Sequence, residues 1–186
     1  MKILAFSSSN NRHSINRILA EYTAHLVAGA EVDVLNIHGY ELPIYSEDRE
    51  AEMGKPKLAR DFLDRISAAD ALVIAHAEHN GTFTAAYKNL MDWASRQARE
   101  VFQNKPTLLL ATSPGLGGAR SVLSHAQEAS GYQGAELVDA ISVPSFHEHF
   151  SLNDKEITDV PLKAKLASAA DQIRVAVLRQ RERAAQ

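Results

Sequence analysis

The 186-residue chain has no cysteine. Disulfide staples, thiolate metal sites, iron-sulfur ligation and a cysteine nucleophile are therefore excluded, and redox chemistry would need a bound cofactor. It also has little excess of either charge. Against 23 Asp and Glu stand 20 Lys and Arg, a net charge of -3, which offers none of the basic surplus that a phosphate-tracking nucleic-acid binder carries. Long apolar runs are missing too. The longest stretch without Lys, Arg, Asp or Glu extends from Pro106 to Ala119 and is broken by Pro114, Gly115, Gly117 and Gly118, where a membrane-crossing helix needs ~20 apolar residues. The opening MKILAFSSSN turns polar after four apolar residues, far short of a secretory apolar core. The expectation is a soluble, cytoplasmic protein.

What is present is an ordinary globular composition, 45% hydrophobic and 23% charged, with no repeat, low-complexity tract or linker. A chain of this length folding as a single domain, residues 1–186, would remove about 70% of its extended surface from water, enough to be stable without a metal or crosslink. Strand-length apolar runs alternate with segments of helical period, which marks an α/β fold with a parallel sheet covered by helices on both faces. The strands are expected at Lys2 to Phe6, Val32 to Ile37, Ala71 to Ala75, Thr107 to Ala111 and Glu136 to Val143. A helix capped by Ser14 and ended by Gly29 follows the first strand. Others are expected over Leu58 to Ile66, from Phe83, over Gly118 to Ala129, and from Pro161 to Arg179 after Asp159. Trp93, Tyr87 and Phe83 read as core or subunit contact on the helix from Phe83.

Ligands of such sheets bind outside the carboxyl ends of the strands, near the point where strand order reverses. Three loops therefore hold the candidate site. The first, Ser7 to Asn16, is rich in hydroxyls and amides, and no acidic residue precedes Glu21. Free N–H groups at a helix N-terminus, with Arg12 and His13 nearby, suit an anion such as a phosphate. Neither a Walker A pattern nor G-x-G-x-x-G is present. The second loop, His76 to Thr82, contains the turn pair Asn80-Gly81, and its backbone N–H groups could face a flat heteroaromatic ring. The third, Ala111 to Gly118, carries three glycines that allow close backbone approach.

Together the segments KILAFSSSNNRHSIN, LPIYSED, AEHNGTFTAAYKNLMDWASR, KPTLLLATSPGLGGAR and VPSF resemble the NADPH-dependent FMN reductase family, flavodoxin-like oxidoreductases that include quinone, azo-compound and chromate reductases. The resemblance implies a three-layer sandwich around a five-stranded parallel sheet in the order 2-1-3-4-5. It implies that Ser7, Ser9, Ser14, Ile15 and Asn16 hold the FMN phosphate, with Asn11 at the pocket's edge. Ala77, Glu78, His79, Asn80 and Gly81 would line the flavin ring, and Ser113, Gly115, Gly117 and Gly118 would close its other side. Departures from the family pattern are Ser8-Ser9 for the usual Gly-Ser, Asn11 for Arg, and Ala77 and His79 for Pro and Tyr. By the same resemblance, hydride passes from NADPH or NADH to FMN and then to a small acceptor such as a quinone or free flavin, in homodimers or homotetramers. No protein nucleophile is needed; His79 is the candidate supporting proton donor, as an imidazole.

Three rival readings carry less weight. A flavodoxin-type electron carrier would share the fold and cofactor, but such carriers generally need a strongly acidic docking face. A zinc-type site from His76, His79, His147, His149, Glu78 and Glu148 has the right ligand types, yet adjacent residues of an extended segment point apart. A receiver-type signalling domain would need carboxylates after the first strand, where the chain has serines and asparagines.

Overall fold

Three apolar segments are buried along almost their whole length and become the middle of a sheet. These are β1 (Lys2–Ser7), β3 (Ala71–His76) and β4 (Lys105–Thr112), with the near-continuous apolar character of strands covered on both faces. The part-exposed β2 (Glu31–Leu35) and β5 (Ala135–Val143) form the edges. The order is β2-β1-β3-β4-β5 and every pairing is parallel. The computed structural model describes residues 1–185.

Alternate side chains of each strand point to opposite faces, so the sheet feeds two cores. Leu4, Phe6, Leu72 and Ile74 pack with α3 (Lys57–Ser67), α4 (Ala85–Ser95) and α5 (Arg120–Ser130). Ile3, Ala5, Val73 and Leu110 pack with α1 (Ile15–His25) and α7 (Val160–Ala184). Each fully buried Leu or Ile contributes about 2 kcal/mol of apolar burial, so both layers are indispensable to the fold. The arrangement is the helix-covered parallel sheet that the alternation of apolar runs and helical segments implies, in the flavodoxin-like strand order that the family resemblance implies.

The differences from expectation lie in short elements. Helix α2 (Glu47–Met53) buries no residue, and without an apolar stripe it leaves no periodicity to read. A single turn, α6 (Phe146–His149), leads into a hairpin of two-residue strands, β6 (Phe150–Ser151) and β7 (Glu156–Ile157). Strand β2 stops at Leu35 rather than Ile37, because the Asn36 side chain accepts from His38 N–H at 3.1 Å and starts a 3-10 turn over Ile37–Gly39. Helix α1 ends at His25, and Gly29, at φ +73°, belongs to the turn that enters β2.

Segment 40–45 is fastened to α4. The buried Trp93 donates from Nε1 to the Pro43 carbonyl at 2.7 Å and lies edge-on to Tyr45 with ring centroids 5.1 Å apart. Asn89 donates to the Leu42 carbonyl and accepts from Tyr45 N–H. Among the described residues no helix is long and apolar enough to cross a membrane.

Candidate active site

Parallel pairing sends the ends of β1, β3 and β4 to one rim, and side-chain hydrogen bonds then join the three loops. Ser8 N–H donates to the Ala75 carbonyl at 3.0 Å, and Ser8 Oγ accepts from Ala77 N–H at 2.9 Å. Thr84, the N-cap of α4, donates its hydroxyl to the Ser8 carbonyl. Asn16 donates from Nδ2 to the Thr112 carbonyl at 3.0 Å and accepts from Thr112 N–H at 2.9 Å. This paired contact mimics a strand neighbour and binds α1 to the end of β4.

Within the first loop the buried serines form a chain. Ser7 Oγ and Ser14 Oγ are 3.3 Å apart, Ser9 N–H donates to Ser7 Oγ, Asn11 N–H donates to Ser9 Oγ, and His13 N–H donates to Asn11 Oδ1. Ser14 caps α1 by accepting from Arg17 N–H. The side chain of Asn16 is occupied by Thr112, but the backbone N–H groups of Ile15 and Asn16 have no partner among the described residues. No acidic residue lies in the first turn of α1, so its positive dipole end is unopposed. Arg12 Nε donates to His38 Nε2 at 2.9 Å, and His38 Nδ1 lies 3.0 Å from the Asn10 carbonyl. With Nε2 accepting from Arg12, Nδ1 is the ring nitrogen that donates to the Asn10 carbonyl.

Loop 77–82 is a tight hairpin. His79 N–H donates to the Thr82 carbonyl and Thr82 N–H to the His79 carbonyl, at 3.0 and 3.1 Å. Asn80 and Gly81 take φ of +51° and +77°, the left-handed pair of a type I′ turn. His79 and Asn80 are exposed at its tip. Glu78 points away from that tip, and its Oε2 accepts from Val122 N–H, in the first turn of α5, at 3.0 Å.

The glycine loop is built from backbone. Ser113 Oγ donates to the Gly115 carbonyl at 3.1 Å, and the Ser113 and Gly115 carbonyls accept from Phe146 and Ser145 N–H. A Cβ at Gly115 or Gly117 would meet open space. Gly118 is different: at φ +58° its Cβ would lie 2.4 Å from Ser142 Oγ and 3.0 Å from the Pro144 nitrogen. Gly118 is thus required by packing against the end of β5.

Residues 1–148 match the family model described as NADPH-dependent FMN reductase. The chain belongs to this family. As a family member it is an oxidoreductase that works with FMN and a reduced nicotinamide. An NAD(P)H-dependent FMN reductase of Pseudomonas aeruginosa is 33% identical over 129 residues, 69% of this chain and 68% of that protein. A 2-hydroxy-1,4-benzoquinone reductase of a Burkholderia species is 34% identical over 134 residues, 71% of each chain. Among solved structures, FerB, an NAD(P)H:(acceptor) oxidoreductase of Paracoccus denitrificans, superposes with a TM-score of 0.75 at 24% identity. It covers 96% of this chain and 97% of its own, and it supports the fold.

Two polar residues of this FMN reductase family member are hidden below the rim. His76 is the last residue of β3, paired with Ala111, and fully enclosed between the rings of Phe83 and Tyr87. Burial pushes its imidazole down to about 3, so it is neutral at ordinary pH. Burial likewise raises the Tyr87 phenol, and neither His76 Nδ1 nor the Tyr87 hydroxyl finds a hydrogen-bond partner. The histidines weighed as metal ligands do not converge. His76 is in the core, Glu78 caps α5, and His149 Nδ1 lies 3.9 Å from Asp159. Among the described residues no three His, Asp or Glu side chains gather to hold a metal ion.

Proposed function

We propose that this chain couples oxidation of NADPH or NADH to reduction of a small quinone-type acceptor, with FMN seated across the three joined loops. The benzoquinone reductase of Burkholderia supports the acceptor class. The observation that carries the reading is the pair of unpartnered amides at Ile15 and Asn16, on a helix end free of acidic residues, facing a rim whose third wall leaves open space at Gly115 and Gly117. A dianionic phosphate satisfies those amides, and a flat ring can rest on glycine backbone without meeting a side chain. The residues present fit FMN.

Ser7, Ser9, Asn11, Ser14, Ile15 and Asn16 hold the phosphate end. Ala77, His79, Asn80, Gly81 and the backbone of Glu78, whose side chain is turned to α5, line one side of the ring, and Ser113, Gly115, Gly117 and Gly118 close the other. Bound FMN supplies the two-electron redox chemistry between nicotinamide and acceptor, and the protein supplies orientation and electrostatics. Of the Glu78 to Gly81 backbone, the N–H groups of Glu78, Asn80 and Gly81 are left free by the hairpin's own bonds, and donors of this kind beside the ring favour negative charge on it. Exposed His79, at the hairpin tip, is the side chain placed to lend a proton to an acceptor at the rim. Nicotinamide and acceptor use the same opening in turn, so the kinetics are ping-pong. One domain spanning residues 1–186 carries both half-reactions, in a cytoplasmic homodimer or homotetramer.

The test is an absorbance spectrum of the protein after incubation with FMN and desalting, followed by anaerobic NADPH, NADH and then a quinone. Retained flavin that bleaches with a nucleotide and recovers with the quinone is the expected result. Retained flavin that neither nucleotide bleaches overturns the reading in favour of an electron carrier. Ser14→Ala removes both the cap and one hydroxyl of the serine chain, and FMN affinity should fall about tenfold, measured by fluorescence titration.

A further inference from the structure

We propose that Glu78 is a positioning residue whose carboxylate bolts the ring-lining hairpin to the N-terminus of α5 and so fixes the gap between the two walls of the flavin seat. The inference rests on the seat described under Proposed function.

Helix α5 begins without a cap of its own. Its N-cap, Ala119, has no side-chain oxygen and stands in the left-handed region at φ +55°, and no acidic residue occupies the first turn. The leading amides of a helix need acceptors, and its positive end favours an anion. Glu78, 44 residues away, supplies both through the 3.0 Å bond from Val122 N–H. A charge-assisted bond of this kind is stronger than a neutral one.

The position of Glu78 makes the bond more than a cap. Its preceding neighbour, Ala77, is held by Ser8 Oγ, so this short stretch touches the phosphate loop on one side and α5 on the other. Beyond it the hairpin is closed by the paired His79 and Thr82 backbones. The glycine loop runs straight into α5, so fixing α5 also fixes that loop. A second, exposed rung joins the same two walls where His125 Nδ1 lies 3.2 Å from Thr82 Oγ1. Meanwhile Val122, Leu123 and Ala126 keep α5 anchored in the core. Loss of the carboxylate should therefore loosen the walls relative to each other more than it unfolds the helix.

The experiment compares Glu78→Ala, Glu78→Gln and His125→Ala with the unaltered chain. Its readouts are FMN affinity by fluorescence quenching, the visible spectrum of bound flavin, and amide exchange at Val122 in protein without FMN. Expected for Glu78→Ala are an FMN affinity at least ~10-fold weaker, a changed flavin band shape and faster Val122 exchange. Glu78→Gln keeps an accepting oxygen and should recover most of the affinity, and His125→Ala should lose only about two- to threefold. Unchanged FMN affinity in Glu78→Ala would overturn the proposal, as would unchanged Val122 exchange or a Glu78→Gln protein as weak as Glu78→Ala. If Glu78→Ala does not fold, the recovery in Glu78→Gln and the smaller loss in His125→Ala decide it. An unaltered chain that binds no FMN refutes the proposed seat, and this proposal with it. Normal FMN binding by Glu78→Ala refutes the Glu78 role alone.

Discussion

The first and third loops of the rim are built by opposite means. In the first, Ser7, Ser9 and Ser14 are buried and hydrogen-bonded in series, and each turn of the backbone is held by a side chain. In the third, residues 114–117 are exposed, Leu116 to 80%, and backbone carbonyls provide most of the contacts. A side-chain scaffold holds one geometry and suits a fixed ion. A glycine backbone with open space around it suits a flat group whose partners vary. With FMN seated as proposed, the comparison gives the phosphate to the first loop and room for the flat ring to the third.

The largest effect should come where this division fails. Gly118 lies in the permissive loop but is tightly packed, so Gly118→Ala meets both a left-handed backbone and the Pro144 backbone. The expected loss is about 3 kcal/mol by denaturant unfolding. Next comes Asn16→Ala. It leaves Thr112 N–H and carbonyl unpaired in a buried place, costing about 2 kcal/mol or more and separating the first loop from the strand that leads into the third.

His76, beneath both loops, should add a pH dependence. Its folded value is pushed down to about 3, whereas an unfolded histidine titrates near 6.5. As pH falls below about 6.5 the unfolded chain gains a proton that the folded chain refuses, so stability drops until pH approaches the folded value. Above about 6.5 this contribution is flat. Between pH 6.5 and 5 the loss from this residue is about 2 kcal/mol, and His76→Leu should remove that slope from unfolding curves measured across the range. The smallest effect on stability should be that of Gly117→Ala, within about 0.5 kcal/mol, because its Cβ meets nothing. Its FMN affinity should nevertheless fall severalfold by titration, since the open space is the ring's.

The layout was legible in the sequence where burial leaves a pattern. Leu72 to Ala75 and Leu108 to Ala111 are apolar without a break because both faces are covered, and the helix from Ala85 announces itself by its buried Tyr87, Leu90, Met91 and Ala94. Loop positions followed from strand order. What could not be read were contacts made across long separations. Nothing near Asn16 points to Thr112, and nothing near Glu78 points to Val122. His76 looks like the first polar residue of a loop, yet one more paired residue at the end of β3 carries it into the core. Helix α2 was invisible for the reverse reason, since its charged sequence buries nothing.

Trp93 is the only tryptophan of the chain, sealed from solvent and hydrogen-bonded to Pro43. The protein therefore contains a built-in optical probe of one particular seam. Its emission should be blue while segment 40–45 stays seated on α4, and should shift to the red when that segment lifts. Release of this strap can thus be followed in a chain that carries no added label.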